Sequence, residues 1–157
     1  MSNLSPVTQS RVNAILTDMG LSTVHEQPAD PVRLIIRDVL YEIRIVEDHL
    51  QIAGVWNRVF NDTESMKQVA AKINEYTATQ LVPKLVCSQA MGGIQLRYSH
   101  WVTGGMSDEQ LTALVQLVMK AMDDTAVTLA DRFGDLMHVP TEEERQREME
   151  ARGHGAQ

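Results

Sequence analysis

The pattern of apolar residues predicts an α+β domain of order αβββαββα, a five-stranded antiparallel sheet with helices packed on it. Two observations carry this. Apolar residues recur by threes and fours in three separated stretches, which is the signature of helices with one buried face. Between them lie stretches in which apolar and polar residues alternate, joined by tight connections that suit antiparallel pairing. Strands in one antiparallel sheet with helices laid on a face are a standard layer solution.

Ser5 before Pro6 predicts a helix start, and Val12, Ile15, Leu16 and Met19 follow at helical spacing until Gly20. Helix 1 is therefore expected over about 6–19. Glu26 to Pro31, with two prolines, reads as a loop. Val32 to Arg37 is strand-like, and Arg37-Asp38 bends it into Leu40 to Val46, where Tyr41, Ile43 and Ile45 share a face opposite Glu42 and Arg44. Glu47-Asp48 makes a tight connection to His49–Trp56, which repeats the alternation. Asn61-Asp62-Thr63 is a capping cluster, and Met66, Val69, Ala70, Ile73 and Tyr76 continue as a helix to about Thr79, which Pro83 cannot extend. Leu85 to Ala90 and Ile94 to Val102, around Gly92-Gly93, form a hairpin. Ser107 with Gln110 matches a capping box, and the helix behind it runs to about Arg132. Its stripe of Leu111, Val115, Val118, Met122, Ala126, Leu129 and Phe133 is widened by Leu114, Leu117 and Ala121, which offers apolar surface beyond what one sheet covers. The reading divides the chain into one domain over 1–138 and a charged, disordered tail over 139–157, whose only large apolar residue after Pro140 is Met149.

At 157 residues the chain suffices for one domain that buries roughly two-thirds of its unfolded surface without a metal or disulfide staple. A single cysteine, Cys87, points to a reducing compartment. The first residues lack the basic and apolar regions of a signal peptide, and no apolar run approaches the roughly 20 residues of a membrane span, so a cytoplasmic protein without membrane partners is expected. A net charge of −7 removes the main source of affinity for phosphate backbones, so no nucleic acid is expected as partner.

No motif fixes a ligand or a reaction. The histidines at 25, 49, 100, 138 and 154 lack metal-site spacing, and no phosphate-binding glycine loop or nucleophile elbow occurs. Cys87 lies inside a predicted strand, and the basic residue that could activate it, Lys84, is three residues away along an extended chain, so packing is the expected role. Asp124, Asp131 and Asp135 can share a helix face, which a solvated surface explains. No catalytic residue, cofactor or metal is expected. Trp56 and Trp101 both fall in strands, where a tryptophan is either core or, on an open sheet face, an anchor for a partner.

Three blocks carry a resemblance. They are His49-Leu-Gln-Ile-Ala leading to Trp56, Ile73-Asn-Glu with Pro83-Lys-Leu, and Val102 through Leu111 (Val-Thr-Gly-Gly-Met-Ser-Asp-Glu-Gln-Leu). With the element order, over roughly residues 6 to 133, they resemble the YbjN family of bacterial proteins with a type III secretion chaperone-like fold. The resemblance implies an αβββαββα domain, often dimeric, without established enzymatic activity. The expected function is a non-catalytic protein-binding module, chaperone-like or a regulatory adaptor, homodimeric and partnered by a protein or by itself. Its expected partner-binding residues are Trp56, Trp101, Leu114, Leu117 and Ala121. The alternative is a small-ligand or ion-binding sensor domain.

Overall fold

The protein is seen in a computed structural model that describes residues 4–80, 82–88 and 92–155, with the side chains of 148 and 151–155 left aside. Helix α1 (Gln9–Asp18) begins three residues later than Pro6, because Thr8 rather than Ser5 caps it: the Arg11 amide donates to the Thr8 hydroxyl at 3.2 Å. Ser5 and Pro6 are held off the helix by the Arg11 guanidinium, which donates to both their carbonyls, to the Met106 carbonyl and to Asp108.

Strands β1 (Thr23–Val24), β2 (Val32–Ile36), β3 (Val39–Val46) and β4 (His49–Trp56) form an antiparallel meander. β1 precedes the expected loop at Glu26 to Pro31, in a stretch to which the sequence assigns no element; two residues are too few to show alternation. The β3–β4 turn is Glu47-Asp48, both at positive φ (46° and 67°), as the right-handed twist of a two-residue hairpin demands. β5 (Val59–Phe60) leaves the meander, and helix α2 (Thr63–Thr77) follows with Asp62 as its cap. Strand β6 (Lys84–Ser88) pairs with β7 (Gly93–Trp101), so the sheet has six strands rather than five, in the order β1-β2-β3-β4-β7-β6. The expected end of β6 at Ala90 lies outside the described residues.

Helix α3 (Asp108–Phe133) has the expected reciprocal capping box between Ser107 and Gln110. It lays Leu111, Val115, Val118, Met122 and Leu129 into one core with Val12 and Leu16 of α1 and with Val32, Leu34, Tyr41, Ile43, Leu50 and Ile52 of the sheet. α2 covers the β6 edge of the same face with Val69 and Ile73. Two glycines let backbones and rings approach. A Cβ at Gly54 would lie 2.9 Å from the Tyr41 ring, and one at Gly93 would lie 2.7 Å from the Arg58 carbonyl, where the chain crosses the sheet end.

The expected domain closes on a short strand at 137–138, and a helix lies within 139–157, the segment expected as a disordered tail. Strand β8 (Met137–His138) pairs with β5, Met137 is buried, and helix α4 (Glu142–Gly155) follows Pro140. Composition hides this because the anchoring is polar: Thr141 and Glu144 cap each other's backbone amides, and His138 sits between Asn61 and Glu144.

Candidate functional site

All three long elements that cover the sheet, α1, α2 and α3, supply buried residues to one core on one face. The other face follows from the alternation. Core-side positions are Val32 and Leu34, then 39, 41 and 43, then 50, 52, 54 and 56, then Ile94 and Leu96. Their neighbours point the opposite way, and the strand register arranges them in rows across the sheet. The first row is Ile35, Leu40, Val55, Gln95 and Val86. The second is Arg33, Glu42, Ala53, Arg97 and Lys84. The third is Arg44, Gln51 and Ser99, and the fourth is Val46, His49 and Trp101.

The first row is aliphatic except at Gln95, and it is open at its β2 and β3 end: Ile35 is 71% exposed and Leu40 48%. It lines a groove of about 660 Å³ together with Arg58, Val59, Pro140 and Arg145. Residues of the second and third rows, from Glu42 and Arg44 to Arg97 and Lys84, line a smaller depression of about 420 Å³. There Glu42 is shared by Arg33 at 3.0 Å and by Arg44. Partial burial pushes the Glu42 carboxyl up, but the hydrogen bonds and charges of the two guanidinium groups outweigh it and hold the group below its ordinary value. The Arg97 guanidinium donates to Gln95 at 3.1 Å, and among the described residues neither Arg97 nor Lys84 meets a carboxylate. In the fourth row the Trp101 ring, 62% exposed, packs edge-on against His49 with centroids 4.2 Å apart.

The two tryptophans therefore part company. Trp101 is on the open face, but Trp56 is only 3% exposed, in phase with Leu50 and Ile52, and belongs to the core. It is withdrawn from the set of partner anchors. On α3, Leu117 is 68% exposed while Leu114 and Ala121 are half-buried, with Leu114 packed on the core. The stripe Leu114–Leu117–Ala121 thus presents one leucine, bordered by the exposed Gln116 and Lys120. The sequence reading missed the apolar and basic rows of the open face. Ile35, Leu40, Arg97 and Lys84 each look ordinary along the chain, and only register brings them side by side.

Burial pushes the half-buried Cys87 thiol up, away from thiolate. No group of three or more His, Cys, Asp or Glu is placed to hold a metal ion. Asp123 pairs with Arg37 at 2.7 Å and Asp124 with Lys120 at 2.8 Å, so the acidic turn of α3 is a paired surface. Tyr41 is wholly buried and its hydroxyl has no hydrogen-bond partner among the described residues; burial first, and the charge of Asp123 second, push its phenol up. No described helix is long and apolar enough to cross a membrane.

No curated protein matches this chain. Among solved structures, the crystal structure of YbjN from E. coli, described as "a putative transcription regulator", superposes with a TM-score of 0.68 at 16% identity. The match covers 87% of this chain and 99% of that one, and at that identity it is a likeness of fold. The profile of the YbjN family, described as "Putative bacterial sensory transduction regulator", matches residues 8–131, from the cap of α1 nearly to the end of α3. This span takes in every strand of the six-stranded sheet and the open face they form, and the chain belongs to the YbjN family.

Proposed function

We propose that this protein is a non-catalytic regulatory module that captures another protein on the open face of its sheet, as an adaptor or a chaperone-like holder. One observation carries the reading: three helices gather on one face, and the other keeps exposed aliphatic residues, Ile35 and Leu40, beside a groove. Apolar side chains in a contiguous row, rimmed by charge, are the usual make-up of a protein-binding patch. A family description that names a regulator agrees with a protein that acts by association. Self-association through Leu117, with Leu114 and Ala121 beside it, belongs to the same reading, and sedimentation at micromolar concentration tests it.

Leu40→Asp is the direct test. Leu40 is about half exposed, so an aspartate there is solvated and the fold should hold, with an unchanged far-UV spectrum and a melting temperature within a few degrees of the parent. A partner captured by the parent protein from its host should fall at least about tenfold in yield with the variant, since a charge in the middle of an apolar contact costs more than about 1.4 kcal/mol. Unchanged capture by a folded Leu40→Asp variant would remove the open face from consideration.

A second reading, a small-ligand sensor, draws on the groove itself, whose volume of about 660 Å³ is within the range of small-molecule sites. A thermal-shift screen of metabolites tests it, because a ligand of the native state raises the melting temperature by mass action.

A further inference from the structure

The open face is charged against the grain of the protein. The chain carries a net −7, yet the described strand positions on this face hold four cations, Arg33, Arg44, Lys84 and Arg97, and one carboxylate, Glu42. Glu42 is already taken up by Arg33 and Arg44, which leaves Arg97 and Lys84, opposite one another across β6 and β7, as cations without an acidic partner among the described residues. Neutral or mixed charge would keep such a face soluble equally well. A one-sided surplus on an acidic protein instead sets up attraction for a ligand of negative charge, while the rest of the surface repels it.

Register gives that ligand a shape. The row of Arg33, Glu42, Ala53, Arg97 and Lys84 and the row of Ile35, Leu40, Val55, Gln95 and Val86, aliphatic at four of its five places, run parallel across the strands, two residues apart on each strand, hence about 6.5 Å from one another. Five strands at about 4.8 Å make each row about 19 Å long. That is the length of about six residues of extended chain. A chain lying along the seam between the rows turns successive side chains to opposite sides, one set toward the cations and the other toward the aliphatic residues.

Resting on the reading of the open face as a protein-capture surface, we infer that its partner is an extended segment of about six residues in which acidic and aliphatic side chains alternate. A single-stranded nucleic acid fits less well. It would also answer the cations, but its bases seek aromatic platforms, and the aromatic residue of this face, Trp101, is separated from the basic row by the row of Arg44, Gln51 and Ser99. A second copy of this chain brings Glu142 to Glu144, but with Met149 as the one exposed large apolar residue of α4 it cannot supply the aliphatic half.

The test is selection of a displayed library of random 12-residue peptides on the intact protein, followed by fluorescence anisotropy with the most enriched peptide. Four proteins are compared: the parent, Leu40→Asp, Ile35→Asp, and the double variant Lys84→Glu/Arg97→Glu. All substituted positions are exposed, and the two aspartate variants guard against either one misfolding. The expected result is a consensus with Asp or Glu alternating with Leu, Ile or Val. Its affinity should fall at least tenfold in the double variant and in a folded aspartate variant, and weaken as salt rises from about 50 to about 300 mM. Peptides that lose binding in the aspartate variants but carry no acidic consensus, or that bind the double variant as well as the parent, overturn this inference and leave the capture surface standing. Peptides indifferent to the aspartate variants, or no enrichment at all, overturn both. Micromolar binding of a 12-nucleotide oligothymidine lost in the double variant, or concentration-dependent self-association lost in it, assigns the basic row to a different ligand and overturns the inference as well.

Discussion

A single residue's phase along its strand decides whether it is structure or surface, and the two tryptophans are the sharpest instance. Trp56 closes β4 in phase with Leu50 and Ile52 and fills the core, whereas Trp101 closes β7 in the opposite phase and projects beside His49. Truncating a buried tryptophan removes a large apolar body and leaves a cavity, so Trp56→Ala is expected to cost about 3–5 kcal/mol. Trp101→Ala removes an exposed ring and should stay within about 0.5 kcal/mol, or slightly more for the lost His49 contact. Equilibrium urea unfolding of the two variants measures both. Because the chain has two tryptophans, each variant also isolates the other's fluorescence: the Trp56→Ala protein, if still folded, should emit at the red end expected of a hydrated indole, and the Trp101→Ala protein at the blue end. Equal destabilisation by the two would contradict the phase assignment.

At the scale of elements, long patterns were legible in the sequence and short ones were not. α2, α3 and the strands β2, β3, β4 and β7 are each long enough for period to declare itself, and the Ser107–Gln110 box marks the start of α3 to the residue. β1, β5 and β8 are two residues each, and two residues have no period. The start of α1 was misplaced because Arg11 occupies the carbonyls of Ser5 and Pro6, a long-range arrangement with Met106 and Asp108 that no local signal announces. The open face was invisible for a related reason. Its rows are assembled from five strands, and only their pairing makes neighbours of Ile35, Leu40 and Val55. α4 owes its position to a few polar contacts, and this makes it sensitive to acid. The Glu144 carboxyl is held below its ordinary value, first by its hydrogen bond with His138 and next by the Thr141 amide. A folded-state value below the unfolded one means that the stabilisation is present above the unfolded carboxylate pKa of about 4.3 and is lost as pH falls through the folded value. Amide hydrogen exchange over 142–147, corrected for the intrinsic pH effect, should therefore lose protection between about pH 5 and pH 3 while α3 keeps its own. Glu144→Gln should flatten that dependence. If the glutamine variant follows the parent's curve, the charges of Glu142 and Glu143 at the helix start, rather than the His138 contact, set it.

For the molecule as a whole, the core and α4 draw on different residues, and removing α4 should barely disturb the core. None of the core residues lies beyond Met137, and the described side chains of α4 are exposed or half-buried, so a chain ending at Val139 keeps the whole core and the β5–β8 pairing. It loses the Glu144 contact with His138 and the two residues, Pro140 and Arg145, that wall the groove on the open face. Surface contacts of this kind contribute at most about 1 kcal/mol. For a domain of this size that is a shift of about 2–4 °C, so the shortened chain should unfold in one cooperative transition within that margin of the full chain. The same truncation widens access to the apolar row, and the open-face reading expects partner capture to be retained or increased. A fall in melting temperature beyond about 10 °C would mean that the tail is part of the folding unit. A fully stable shortened chain that no longer captures its partner would place the binding contact on α4 itself and not on the sheet. Calorimetry and the capture assay on the one shortened protein separate these outcomes, because stability reads the core and capture reads the face.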